Sequence, residues 1–256
     1  MKHLHLTLPS PAENLACEEA LLDACEAGDG GEILRFWESP APFVVVGYAN
    51  KIATEVNVAG CHAKGIPIYR RCSGGGTVLQ GPGCLNYAVI LQITADGPLH
   101  NITSANQFIM ERNRTAIETV LAQTTAPKLS SAVSVRGHTD LALDGRKFSG
   151  NSQRRKKSCL LFHGTFLLHF DLALVRELLP MPSLQPDYRH DRSHDAFLTN
   201  LNVPAATVES ALIHAWNASE ATREFPRKAT EQLVADKYST DAWNRKFPVG
   251  SPGPTR

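Results

Sequence analysis

Leu4, Leu6 and Leu8 alternate with polar residues at the start of the chain, the two-residue period of a strand with one buried face. The pattern then changes. Ser10-Pro11-Ala12-Glu13 reads as a helix start, with Ser as N-cap, Pro at the first helical position and Glu three residues after the cap. That helix is predicted to run through Leu15, Glu18, Leu21 and Leu22 and to stop near Gly28. Apolar runs at 33–38 and 43–48, split by Ser39-Pro40-Ala41-Pro42, predict two strands. A short helix over 53–64, a strand over 66–70 and a glycine-rich hairpin over 77–90 follow. Helical spacing returns at 104–123, where Phe108, Ile109, Ala116, Ile117, Val120 and Leu121 share one face. Strands are predicted at 132–136 and 140–143, then a tight Asp144-Gly145 turn. Residues 147–170 mix glycine, basic and apolar residues and end in LLFHGTFLLHF. Helices over 171–179, 206–218 and 229–243 complete the pattern.

Strands arrive mainly as hairpins rather than in strand–helix–strand alternation. The expected class is therefore α+β, with helices packed on a largely antiparallel or mixed sheet. No repeat or linker divides the sequence, so a single domain is expected over 1–247, followed by a disordered Pro/Gly-containing tail at 248–256.

Composition narrows the classes of function. With 43% hydrophobic and 20% charged residues the chain is of ordinary globular type, and a net charge of +1 gives no global reason to expect nucleic acid or an anionic membrane as partner. No apolar run is long enough to span a bilayer. The N-terminus lacks an apolar core and a small-residue cleavage pattern, so a mature cytoplasmic protein with reduced thiols is expected. Cys17, Cys25, Cys61, Cys72, Cys84 and Cys159 form no C-x-x-C pair, which argues against a zinc knuckle or a redox motif.

The candidate chemistry lies in two segments. In RRCSGGGTVLQGPGCLNYAVI, residues 70–90, three glycines follow a serine and two arginines. Thr77 and Val78 follow Gly76 where a Walker loop would have Lys and Ser or Thr, so that motif is excluded. Two readings stay open: an anion cradle of bare N–H groups, or a plain glycine hairpin. In LDGRKFSGNSQRRKKSCLLFHGTFLL, residues 143–168, Lys147 precedes a Gly-containing loop and His163 precedes an apolar strand. Taken singly, Lys147 reads as solvent-facing, Arg154–Lys157 as a solvated basic run and His163 as a satisfied core histidine. In combination, a glycine cradle, a lysine and an apolar strand suit a ligand with a phosphate at one end and a hydrocarbon body at the other.

Arg70–Val78 with Leu85-Asn86-Tyr87 resembles the glycine motif of the lipoate–protein ligase A family, within the biotin/lipoate A/B protein ligase superfamily. Thr139-Asp140-Leu141, Gly145–Ser152 and His163-Gly164-Thr165 resemble that family's lysine loop and following strand, and Asn14–Glu19 its first helix. Val45–Tyr48 with Glu55-Val56-Asn57 fits its second block. The resemblance implies an α+β catalytic domain of two mixed or antiparallel β-sheets flanked by helices, with an acyl tunnel and an adenylate site. It makes Lys147 the catalytic residue, contacting acyl carbonyl and phosphate. Arg71, Ser73, Gly75, Gly76, Thr77, Val78, Leu79, Asn86, Asp140, Gly150, His163 and Thr165 become candidate substrate and adenylate contacts, with no protein metal ligands. Thr139 replaces the family's usual Asn.

The activity implied is ATP- and Mg²⁺-dependent formation of lipoyl-AMP from lipoate (or octanoyl-AMP from octanoate), then transfer to a lysine of a lipoyl carrier domain. Such a carrier would be a 2-oxoacid dehydrogenase E2, a glycine cleavage H-protein or a similar protein. No C-terminal accessory domain is expected, so a separate accessory subunit is a further possible partner. The alternative is a cysteine-independent octanoyl or lipoyl transferase drawing on an acyl-carrier thioester or a lipoylated protein. Ala132 stands at one nucleophile position of the transferase branches and no cysteine follows Cys159, so the six cysteines read as structural. A third reading, a non-catalytic carrier-binding protein, is disfavoured by the presence of Lys147 and the full glycine motif.

Overall fold

In the computed structural model, which describes residues 1–123 and 132–247, the strands in chain order are β1 (Lys2–His5), β2 (Ile33–Trp37), β3 (Phe43–Val46), β4 (Ile68–Arg70), β5 (Val78–Gln80), β6 (Cys84–Gln92), β7 (Val133–Arg136), β8 (Asp140–Leu143), β9 (Arg146–Arg155), β10 (Cys159–Leu167) and β11 (Glu220–Ala221). They form two sheets. The larger has the order β11-β1-β2-β6-β10-β9-β8-β7 and the smaller β4-β3-β5. In the larger sheet β1 runs parallel to β2 and β11, and the remaining neighbours are antiparallel. In the smaller sheet β3 is parallel to β4 and antiparallel to β5. The helices are α1 (Pro11–Ala27), α2 (Ile52–Glu55), α3 (Val58–Ala63), α4 (Ile102–Gln123), α5 (Leu172–Leu178), α6 (His194–Phe197), α7 (Ala205–Ala215), α8 (Arg227–Leu233) and α9 (Asp241–Asn244). The fold is α+β, two sheets flanked by helices.

Burial on both faces explains why β2 and β6 are apolar almost throughout. Leu34, Phe36, Leu85, Tyr87 and Val89 face a core shared with Ile109 and Ile117 of α4 and Leu212 of α7. Ile33, Ala88 and Ile90 face the other side, where Leu21, Leu22 and Cys25 of α1 cover them. A third core packs Val44, Val46 and Leu79 of the smaller sheet against Val175 and Leu178 of α5. A fourth joins Leu15 and Ala16 of α1 to Trp37, Phe43, Val45 and Tyr238.

The capping signals of α1 are realised. Ser10 Oγ accepts from Glu13 N at 3.2 Å and Glu13 Oε2 accepts from Ser10 N at 2.8 Å, while Gly28 ends the helix at φ 83°. The helix expected over 53–64 is instead two short helices. Val56 is extended, and Asn57 restarts the chain by accepting from Gly60 N at 3.0 Å while its own N donates to Leu178 O at 2.8 Å. The helix expected over 229–243 breaks into α8, a π-helical turn over Val234–Tyr238 and α9, which has its own cap at Thr240. β11, α6 and a 3₁₀ turn at Asp187–Arg189 were not foreseen. The tail expected at 248–256 lies outside the described residues. Among the described residues, no helix is long and apolar enough to cross a membrane.

The hairpin expected over 77–90 is not one: β5 pairs with β3 in the smaller sheet, and β6 lies between β2 and β10 in the larger. Gly81-Pro82-Gly83 carries the chain between sheets. A Cβ on Gly81 would sit 2.9 Å from Pro42 Cα, and one on Gly83 would sit 2.5 Å from the His169 carbonyl. Gly83 is also at φ 84°, and its carbonyl accepts from Leu168 N at 2.9 Å. Gly83→Ala should therefore cost ~1–2 kcal/mol for the left-handed backbone and another ~1–3 kcal/mol for the clash. Gly28, at φ 83° with nothing near its absent Cβ, should show only the first cost. Urea midpoints of the two alanine variants check the difference, and equal midpoints would refute the pinned crossover.

Candidate active site

A β-bulge places Lys147. Asp140 faces Gly150 and Leu141 faces Ser149, but Ala142 faces Lys147, so Phe148 is an extra residue in β9. Phe148 enters the core and stacks on Phe166 with centroids 6.5 Å apart. Without the bulge, Lys147 would share a face with Ser149 and Asn151. With it, Lys147 joins Gly150 and Asp140. Its Nζ lies 2.8 Å from Asp140 Oδ1, and the side chain is 24% exposed. Gly150 makes the room, since a Cβ there would lie 2.7 Å from Lys147 Cε and Nζ. On the strand's other side, the Lys147 carbonyl accepts from Thr199 N at 2.9 Å. Thr139 Oγ1 donates to Asn151 O and Asn151 Nδ2 donates to Thr139 O, both at 2.7 Å, which ties β8 to β9 beside the lysine.

The glycine turn is closed around Arg71. This buried guanidinium donates through Nε to Ser73 Oγ and Gly74 O at 3.1 Å, and through one terminal nitrogen to Gly74 O at 2.5 Å and Gly76 O at 2.8 Å. Burial pulls it down to about 10, still a cation at neutral pH. The three glycines differ. Gly75 is at φ 83°, and a Cβ on it would meet Arg71 at 3.0 Å. Gly74 and Gly76 have nothing within 4 Å of an added Cβ. From beneath, Gly47 must lack a side chain, because a Cβ there would lie 2.1 Å from Gly75 O. Ser152 Oγ donates to Gly74 O at 2.9 Å. Ser152 and Gly150 are two apart on β9, so the glycine turn and Lys147 stand along one face of that strand.

Behind the turn runs a buried polar chain. Ser73 Oγ is 2.5 Å from His163 Nε2, and His163 Nδ1 is 2.5 Å from Glu18 Oε2. A carboxylate only accepts, so Nδ1 carries a proton, and in the neutral ring Nε2 accepts from the Ser73 hydroxyl. Glu18 Oε1 accepts from Trp37 Nε1 at 2.8 Å, and Arg35 lies 3.9 Å away. Burial opposes the Glu18 charge, but His163, Arg35 and the Trp37 N–H outweigh it and hold the carboxyl below its ordinary value. Both nitrogens of His163 are engaged and Ser73 is buried. His163 therefore orders the glycine turn, which joins the functional reading to the satisfied-histidine one.

The other predicted residues divide. Thr77 Oγ1 accepts from Asn50 Nδ2 at 3.3 Å, at the end of the turn. Val78 packs beside Phe43 and Val45, while the Leu79 side chain is committed to the core with Val44. Thr165 and Asn86 form a separate buried chain, in which Gln80 Nε2 donates to Thr165 Oγ1 at 3.0 Å and Thr165 Oγ1 donates to Asn86 Oδ1 at 3.1 Å. Of the basic run, Arg155 donates to Leu99 O at 2.7 Å and Lys156 pairs with Asp23 at 2.6 Å. Elsewhere, a 720 Å³ cleft runs along α4 and β7, lined by Phe108, Met110, Arg112 and Val135 and by none of the predicted site residues.

Arg70 had no role assigned from the sequence. It is fully buried, and its guanidinium donates to the carbonyls of Gly47, Tyr48, Asn50, Trp243 and Asn244. It thereby fastens α9 to the loop that supports the glycine turn. Glu18 and Tyr188, whose hydroxyl donates to Asp140 Oδ2 at 2.8 Å, were also missed as site residues. The available signal for Glu18 was its place among Leu15, Leu21 and Leu22 on the apolar stripe of α1, and nothing in the sequence marked Tyr188.

A family model described as the lipoyl protein ligase A/B catalytic domain matches residues 10–213. The chain belongs to this family. Octanoyltransferase LipM from Anoxybacillus flavithermus is 26% identical over 264 residues, covering 93% of this chain and 95% of the relative. Among solved structures, a bi-partite lipoate protein ligase from Thermoplasma acidophilum, studied with its E2 lipoyl domain, is similar at a TM-score of 0.79 and 24% identity over 95% of each chain. A lipoate-protein ligase A bound with ATP is similar at 0.75 and 24%, over 96% of this chain and 99% of its own. The two structures share the fold.

All six cysteines of this family member are buried. Burial pushes the Cys72 thiol, next to the glycine turn, up to about 12 and raises Cys84 further, so neither is a ready thiolate at neutral pH.

The polar chain makes a prediction. Glu18→Gln removes the charge facing His163 and should destabilise the fold by about 3 kcal/mol at neutral pH. Because the Glu18 carboxyl is depressed, its contribution is present above the ordinary value of 4.5 and is lost as pH falls through the lower folded value. The gap in urea midpoint between wild type and variant should then narrow in acid. A pH-independent gap would refute the charged pairing.

Proposed function

We propose that the protein is a lipoate–protein ligase, which activates lipoate or octanoate with ATP and passes the acyl group to a lysine of a lipoyl carrier domain. The observation that carries this reading is the unfilled space over Gly74 and Gly76, on the β9 face that also presents the Lys147 ammonium. No internal contact excludes a side chain at those two glycines. A ligand that must approach the backbone closely accounts for both.

The chemistry requires such an arrangement. A free carboxylate resists attack by an amine, so one carboxylate oxygen first bonds to the α-phosphorus of ATP and pyrophosphate leaves. Two anions must meet for this, and a fixed cation between them lowers the cost. Lys147 is that cation, aimed by the bulge and by Asp140. In the second step the carrier amine attacks the acyl carbonyl carbon, AMP leaves with the bonding electrons, and the amine gives up a proton. Lys147 stabilises the oxyanion, and backbone N–H groups of the glycine turn are the neighbouring donors. Mg²⁺ would come with the nucleotide phosphates. The ATP-bound ligase of the same fold supports the nucleotide, and the archaeal ligase studied with an E2 lipoyl domain supports that class of carrier. A separate accessory subunit belongs to the same proposal.

The second reading, a cysteine-independent octanoyl or lipoyl transferase drawing on an acyl-carrier thioester or a lipoylated protein, is favoured by the LipM relatives. The six buried cysteines and Ala132 weigh only against a cysteine-dependent form of transferase.

Pyrophosphate release with ATP and lipoate, with and without carrier, separates the two. A variant lacking all six cysteines should retain ATP-dependent lipoylation. ATP-independent transfer from an octanoyl carrier or a lipoylated protein would overturn the ligase reading, and a thioester trapped on one cysteine would then mark a thiol nucleophile. Lys147→Ala and Lys147→Arg should each lose about a hundredfold or more in acyl transfer while remaining folded, because arginine keeps the charge but not the compact ammonium. Gly76→Ala should leave the urea midpoint unchanged or slightly higher and weaken lipoyl-adenylate binding in calorimetry. Unchanged affinity would return the triplet to a purely structural role.

A further inference from the structure

The segment 181–193, between α5 and α6, holds the lysine site from outside the strands that build it. Two consecutive non-glycine residues, His190 and Asp191, take left-handed φ values of 48° and 54°. Such strain persists only where the surroundings fix the backbone. Here Arg192 donates to Gly145 O at 3.0 Å and Tyr188 O at 2.8 Å, and Arg189 Nε donates to Arg192 O at 3.0 Å. The two guanidinium groups lie over the Phe197 ring at 4.6 and 5.2 Å. On the other side, Pro186 and Tyr188 pack against Gly137, where an added Cβ would meet them at 3.4 and 3.7 Å. The segment thus clasps both turns of the β7–β8–β9 meander, at Gly137 and at Gly145.

We infer that Tyr188 is a positioning residue that aims Lys147 through Asp140. The Tyr188 hydroxyl donates to Asp140 Oδ2 at 2.8 Å, and Asp140 Oδ1 lies 2.8 Å from Lys147 Nζ. One oxygen of the carboxylate is anchored, so the other is offered in one direction. Without the phenol, the carboxylate would turn about its side-chain bonds and the ammonium with it. Burial, with the Asp140 charge adding to it, raises the Tyr188 hydroxyl well above its ordinary value, so it remains a donor. The Tyr188 ring also rests on Phe197, with centroids 5.2 Å apart. A substitution that keeps the ring therefore separates aiming from packing.

This inference rests on the ligase reading for its kinetic arm only. Tyr188→Phe should lower kcat for carrier acylation about tenfold, the scale of one hydrogen bond to a charged group, with KM for lipoate within about twofold. In an Asp140→Asn background the same change should have no further effect, because the two residues act as one unit. A second arm needs no activity: full-length protein is treated with acetic anhydride and the acetylation rate of Lys147 is followed by peptide mass. Tyr188→Phe should change that rate with an unaltered thermal midpoint, and again only where Asp140 is present. An unchanged Lys147 rate, or an equal effect of Tyr188→Phe in the Asp140→Asn background, would overturn the inference. Absence of lipoylation by the wild type would instead overturn the ligase reading and leave the labelling arm to decide Tyr188.

Discussion

The buried chain from Glu18 through His163 and Ser73 to Arg71 joins three parts of the fold at one line of hydrogen bonds. Glu18 stands on α1, His163 on the central β10 of the larger sheet, and Ser73 with Arg71 at the turn that leaves β4 of the smaller sheet. A buried carboxylate and a buried guanidinium are each costly alone, and each is tolerated here because its lone pairs or protons are matched. The consequence is geometric. The glycine turn, which has few side chains of its own, takes its shape from Arg71 inside it, Gly47 beneath it and His163 behind it.

The second half of the site is aimed by backbone register instead of burial. One extra residue, Phe148, moves Lys147 to the opposite face of β9 while the aromatic ring anchors the strand in the core. The bulge therefore couples packing to chemistry, because the stacking of Phe148 on Phe166 keeps the lysine turned toward Asp140 and Gly150. The turn is held by charge and the lysine by register. Joining the two, Ser152 supplies the hydrogen bond from β9 to Gly74. Under the proposed reading, these contacts would fix a cation and backbone dipoles before a ligand binds, the condition under which they favour a transition state.

Ligase and thioester transferase chemistry make different demands on one fold. A cysteine-dependent thioester transferase needs no adenylate site but requires an accessible thiolate. A free acid needs two anions brought together and no nucleophile from the protein. The buried thiols, raised by burial, do not meet the first of these demands. Membership of the family leaves both chemistries within reach.

Much of this protein is determined by local sequence. The capped helix α1, the apolar runs that became β2, β6 and β10, and the Asp144-Gly145 turn all announce themselves within a few positions, because caps, turns and apolar runs act over short range, whereas Arg71, Gly75, Lys147 and His163 stand out only through the resemblance of whole motifs. Tertiary structure alone decided the rest. Gly81–Gly83 reads as a hairpin turn, and only contact with Pro42 and His169 makes it a crossover between sheets. Lys147 reads as an ordinary lysine after a turn, and only the inserted Phe148 takes it off the face of buried Ser149 and sets it beside Asp140. The roles of Glu18, Arg70 and Tyr188 have no local mark, since what matters is the partner each meets across 145, 174 and 48 positions of chain. Short-range patterns specify which elements form, and long-range burial specifies which polar groups must satisfy one another.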